Sequence, residues 1–154
     1  MAFVVYISGA FFIIAMKLSP NRRINSLQFQ YLEDGKMKLF PVYGDGSFAG
    51  SYFQTVEFSD PKEYIIGLKG ATTGSPYYGL SNLTFETNYR TYGPFGCGVD
   101  EHANFNFRFG PENHFAGFYG TFNSNKLSSI GVYVRRSSEK LVKLSSVKAE
   151  DGGN

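Results

Sequence analysis

The chain has 154 residues, 18% aromatic and 18% charged, with a formal net charge of +2. That length makes one domain able to bury about two-thirds of its unfolded surface, and so mild a charge excludes the dense Lys and Arg footprint of a polyanion binder. Eighteen glycines, sixteen phenylalanines and eleven tyrosines with no tryptophan favour short strands and tight turns over helices, so the class is all-β.

Residues 2–16 form an apolar run that lacks the basic leading segment of a secretory signal. It is too short to span a membrane and is interrupted at Ser8-Gly9, so residues 3–7 and 11–14 read as two strands of one hairpin. In residues 24–31, Leu27, Phe29 and Tyr31 fall on one face and Gln28 and Gln30 on the other, as in a half-buried strand. Glu33-Asp34-Gly35-Lys36 supplies a hairpin turn before residues 37–40. Gly44-Asp45-Gly46 marks a loop, and residues 52–58 a strand that stops at Asp60-Pro61.

Residues 63–70 lead into a loop, 71–79, that carries the aromatic pair Tyr77 and Tyr78. In the next strand Leu83, Phe85 and Thr87 face one side and Asn82, Thr84 and Glu86 the other, before a Gly93-Pro94-Phe95-Gly96 turn. Asn104, Asn106 and Arg108 then alternate with Phe105, Phe107 and Phe109. Strands at 115–119 and 127–134 bring the count to roughly ten to twelve, which suits a closed or prism-like arrangement that protects its edges. From Arg135 the pattern gives way to a charged, serine-rich tail expected to be largely disordered or loosely packed. Within it Leu141, Val142, Leu144 and Val147 leave open an amphipathic turn or an added edge strand.

Few residues suggest chemistry. The single cysteine, Cys97, has no partner for an internal disulfide, which points to a reducing compartment and a cytoplasmic or nucleocytoplasmic location. His102 beside Asp100 and Glu101, and His114 further on, read as solvated loop residues, because neighbours on an extended chain point apart and no second ligand cluster supports them. Asn82-Leu83-Thr84 has the form of a glycosylation acceptor but lies inside a strand. The Phe105, Phe107, Phe109 stripe reads as an inward face, not as a nucleic-acid stacking platform. No nucleophile elbow, phosphate loop or dinucleotide fingerprint occurs, so neither an enzyme nor a cofactor or metal is expected.

The run 81–96, with Phe115-Ala116-Gly117-Phe118-Tyr119-Gly120 and Ser129-Ile130-Gly131-Val132-Tyr133-Val134 downstream, resembles the jacalin-related lectins in order and wording over residues 2–134. The resemblance implies a β-prism I of three four-stranded antiparallel Greek-key sheets over residues 1–134, with 135–154 as a polar tail or linker. It also implies a sugar site at one prism end, mannose- or glucose-type glycans or glycoproteins as partners, no nucleic-acid or membrane partner, and a homodimer.

Position by position, Ala2-Phe3 matches the aromatic position after the family's Gly-Gly loop, which has no counterpart here, and Gly9-Ala10-Phe11 matches its first turn. The family's Gly-x-x-x-Asp motif before the last strand aligns with Ser124 to Ser128, so Ser124 replaces the glycine and Ser128 the aspartate. The implied site is Gly120, Thr121, Phe122, Asn123, Ser124, Asn125, Lys126 and Ser128, with Tyr77 and Tyr78 from the 71–79 loop. A fixed carboxylate accepts two vicinal hydroxyls with charge-assisted strength, so replacing it by serine costs on the order of 1–3 kcal/mol, roughly ten- to a hundredfold in affinity. The amides of Asn123 and Asn125 and the ammonium of Lys126 are partial replacements. The alternative is a prism that has lost its sugar and serves protein interaction. Asp151-Gly152-Gly153-Asn154 resembles the opening of the family's Gly-rich loop, which raises a tandem array or a tail that folds back.

Overall fold

The computed structural model describes residues 1–7, 12–18, 23–46, 52–74, 79–96, 101–109, 113–136 and 141–145. Among them thirteen strands form antiparallel sheets around one core. The first sheet has the order β1 (Ala2–Tyr6), β11 (Asn113–Phe122), β12 (Leu127–Arg136), β13 (Leu141–Ser145). The second runs β6 (Tyr52–Phe58), β2 (Phe12–Leu18), β3 (Ile24–Glu33), with β4 (Lys36–Leu39) and β5 (Tyr43–Gly44) sharing the far edge of β3 as one interrupted strand. The third runs β10 (Glu101–Arg108), β7 (Ile65–Thr73), β8 (Leu80–Thr87), β9 (Thr91–Gly96). One backbone pair, Ile24 with Leu80, joins the second sheet to the third. The architecture is the β-prism of three four-stranded sheets.

Three local readings change. The two N-terminal strands are not a hairpin: β1 bonds to β11, while β2 bonds to β3 and β6. Both are apolar enough to be core strands, and hydrophobicity alone does not say which sheet receives them. Gly93 to Gly96 do not form a turn either. They lie in β9, which β8 pairs through a register shift, with Gly93 at φ +112° before a cis Gly93–Pro94 bond; the chain reverses earlier, around Asn88–Arg90, where the Thr87 N–H reaches the Arg90 carbonyl. Of the alternatives left open for the tail, Leu141–Ser145 adds an edge strand to β12. The Asp34-Gly35 turn is as expected, both residues having positive φ.

The core follows from the alternation. Leu27, Phe29 and Tyr31, and Leu83, Phe85 and Thr87, all point inward and are buried. Each sheet sends one phenylalanine to a common junction: Phe118 of the first lies 5.1 Å from Phe29 of the second and 6.2 Å, edge-on, from Phe85 of the third. All three are essentially inaccessible, and such rings dominate the packing energy of a core this size. Phe105 is buried and Phe107 and Phe109 pack against the same core, so that stripe is the inner face of β10.

Candidate functional site

One end of the prism is assembled from all three sheets. Leu80, at the start of β8, pairs with Ile24 at the start of β3, and Leu27 on β3 pairs with Tyr43. Tyr43 stacks on Phe3 of β1 at 4.6 Å and lies 5.5 Å from Phe122, the last residue of β11. Burial pushes the Tyr43 phenol above its ordinary pKa. The Phe3–Tyr43–Phe122 cluster is therefore an apolar plug under the β11–β12 turn, and Met1 extends the β1 ladder alongside it through reciprocal backbone bonds with Phe122.

The turn itself, residues 123–126, is shaped by one side chain. The Asn123 carboxamide oxygen accepts the N–H groups of Asn125 (2.8 Å) and Lys126 (3.1 Å), while the Asn123 N–H donates to the Lys126 carbonyl. Such a side-chain-to-backbone motif closes a tight turn without help from the rest of the fold.

Just beyond, the ladder breaks register. Thr121 faces Ser129 and Phe122 faces Leu127, so Ser128 is the extra residue of a β-bulge. Leu127 and Ser129 on either side are buried, and Ser128 is half-buried. A bulge re-aims a side chain at the end of a strand, and here it falls at Ser128. The Ser129 hydroxyl holds the bulge from beneath, 2.6 Å from the Thr121 hydroxyl and within reach of the Thr121 N–H.

The residues singled out from sequence divide by role. Gly120 is packed away: a Cβ there would lie 2.2 Å from the Ser129 carbonyl oxygen and 2.7 Å from the Phe3 ring. Phe122 belongs to the plug, Thr121 is tied to Ser129, and the Asn123 oxygen is spent on the turn. Ser124 and Asn125 are exposed and Lys126 and Ser128 half-buried, and their side chains bond to none of the described residues. Tyr77 and Tyr78 lie outside the described residues, but the base of their loop is fixed: Thr73 and Gly79 exchange a backbone bond and two bonds through the buried Thr73 hydroxyl. Tyr43 is the supporting residue that alternation did not reveal; its only signal was its place before Gly44-Asp45-Gly46. Asp100 lies outside the described residues and His102 falls at a register shift in β10.

A family model for the jacalin-like lectin domain matches residues 11–133. The chain belongs to the jacalin-like lectin family. Protein RESTRICTED TEV MOVEMENT 1 of Arabidopsis thaliana is 38% identical over 116 residues, 73% of this chain and 64% of that protein. Jacalin-related lectin 2 of the same plant is 34% identical over 119 residues, 71% of this chain and 64% of that one. The chain thus spans just under two thirds of the length of these relatives. Among solved structures, a mannose-binding jacalin-related lectin from Ananas comosus is 30% identical with a TM-score of 0.67, over 87% of this chain and 90% of that one. The family match leaves out β1 and β13, the two outer strands of the first sheet.

Proposed function

We propose that the end of the prism around residues 123–128 holds a glycan of the mannose or glucose type, without chemistry on it. The observation that carries the reading is the set of hydrogen-bonding side chains left there without partners among the described residues: Ser124, Asn125, Lys126 and the bulged Ser128. A sugar offers adjacent hydroxyls that both donate and accept, and an amide, a hydroxyl and an ammonium on a rigid turn answer them. The likeness to a mannose-binding lectin supports the choice of sugar, and the lone cysteine supports a cytoplasmic or nucleocytoplasmic setting.

Ser128 supports a second reading as well. Residues 120–136 contain no aspartate or glutamate, so the charge-assisted acceptor that would anchor a monosaccharide is missing. A prism with this end is then a protein-interaction module. Isothermal titration of the full chain with methyl mannoside and a branched mannose oligosaccharide separates the two: saturable binding, even millimolar, supports the lectin. An unchanged amide spectrum at tens of millimolar sugar would overturn it.

A further inference from the structure

The third sheet turns a polar trough outward. Its inward rows are apolar, with Leu83 and Phe85 of β8, Leu68 of β7 and Phe105 of β10 all buried. The residues between them point away from the core, and the register aligns Asn82 with Ala71 and Asn104, Thr84 with Lys69 and Asn106, and Glu86 with Gly67 and Arg108. The short Gly67 and Ala71 of the central strand sit between longer side chains. A cavity of about 440 Å³ opens on this face, lined by Lys69, Asn82, Thr84, Thr91, Asn104 and Asn106 among others. That volume lies in the usual range of small-ligand sites, roughly 300–1,000 Å³.

Two features of the trough point to a ligand. Thr84 is only 5% exposed, and its hydroxyl bonds to none of the described residues although the residue lines the cavity. A polar group so placed costs free energy until something answers it. Beside it, at the next outward position on β8, stands a fixed carboxylate. A Cβ at Gly67 would lie 2.8 Å from Glu86 Oε1, so the glycine lets Glu86 reach across β7 to the Arg108 guanidinium at 3.1 Å, while its other oxygen lies 3.6 Å from the Lys69 ammonium. Pinned between two cations, Glu86 keeps acceptor capacity, since an ionised carboxylate has about four lone-pair sites.

We propose that this trough is a second saccharide site, separate from the prism end and independent of it. The amides of Asn104 and Asn106 are exposed and bond to none of the described residues, and with the Thr84 and Thr91 hydroxyls they both donate and accept, as a polyhydroxyl ligand requires. Glu86 adds the charge-assisted acceptor that residues 120–136 lack. Other ligand classes fit worse. A phosphate would have to sit beside the Glu86 carboxylate, because both cations of the face are already engaged by it. An extended peptide would find the backbone groups of β7 and β8 taken on both edges by neighbouring strands. A neutral, hydroxyl-rich ligand meets neither obstacle.

The test is an amide-resolved titration of the full chain with methyl mannoside, methyl galactoside, a branched mannose oligosaccharide and, separately, inorganic phosphate. Saturable shifts are expected at residues 69–71, 82–84 and 104–106 with at least one sugar, and none there with phosphate. Thr84→Val and, separately, Asn106→Ala weaken that binding about five- to tenfold, the worth of one hydrogen bond. Because the Thr84 hydroxyl has no partner among the described residues, Thr84→Val leaves the thermal melt unchanged, which a structural hydroxyl would not. Asn125→Ala leaves these shifts as they are. No shift on this face at about 100 mM sugar, far above a millimolar dissociation constant, overturns the proposal, as do shifts with phosphate alone or binding indifferent to both substitutions. Shifts confined to residues 121–130 overturn this site and leave the prism end standing; shifts confined to the trough do the reverse.

Discussion

The two ends of the prism treat their polar groups in opposite ways. At the end away from the β11–β12 turn, Glu63 is buried and accepts bonds from the Thr87 hydroxyl at 2.7 Å and the Tyr92 phenol at 2.8 Å, with the Arg90 guanidinium 3.6 Å away. Asn88 stitches the same corner, its amide oxygen accepting the Tyr64 N–H and its amide nitrogen donating to the Lys62 carbonyl. The side chains of Glu63, Thr87, Tyr92 and Asn88 all find partners within this corner. At the other end Asn123 shapes the turn, and the side chains of Ser124, Asn125, Lys126 and Ser128 are left without partners among the described residues. A buried polar network that is fully satisfied fixes a fold; one left open to solvent has hydrogen-bonding capacity to spend on a ligand.

The contrast is broken most severely at the closed end. Glu63→Ala removes the acceptor shared by the buried Thr87 hydroxyl and the half-buried Tyr92 phenol and is expected to cost about 1–3 kcal/mol of stability, read by urea unfolding, while sugar affinity stays the same. At the open end the sign reverses. Ser128→Asp restores the charged acceptor at the bulge and should tighten mannoside binding roughly ten- to a hundredfold, with stability within about 0.5 kcal/mol of the parent, as for an uncrowded surface change. Titration calorimetry showing no gain would place the ligand elsewhere.

Asn123→Ala is the intermediate case, because that residue belongs to the structure of the turn and not to its free surface. Loss of the two N–H bonds should cost about 1 kcal/mol and weaken sugar binding through a less ordered turn, whereas Asn125→Ala weakens binding with no change in the melt.

The smallest effect is a pH dependence. Burial first, then the hydrogen bond to the Glu63 carboxylate and its charge, push the Tyr92 phenol above its ordinary pKa. A phenol whose folded pKa is raised contributes stability that is fully present below its unfolded value, about 10, and is lost as pH rises through the folded value. Urea midpoints should therefore fall as the pH climbs above about 10, and Tyr92→Phe should remove part of that slope. The Tyr43 phenol, raised by burial alone, contributes the same trend from the open end and remains in that variant.

Alternation at residues 24–31, 81–87 and 104–109 was enough to name the class, the inward residues and the Asp34-Gly35 turn, because a strand's side chains follow a fixed period of two. The resemblance of three separated stretches carried the prism itself. The partner of each strand was not legible. Residues 2–6 and 12–18 are equally apolar, and only the assembled sheets send the first to β11 and the second to β3 and β6.

The same division runs through the site. Composition alone shows that residues 123–126 are polar and that 123–128 carry no carboxylate. The strand pairing puts Ser128 off the ladder as a bulge, the turn consumes the Asn123 oxygen locally, and packing between sheets brings Tyr43 under Phe122. Register and long-range packing set those outcomes. The Tyr43 contact arises between segments some eighty residues apart, where neither propensity nor periodicity reaches, whereas the bulge and the turn belong to a single hairpin.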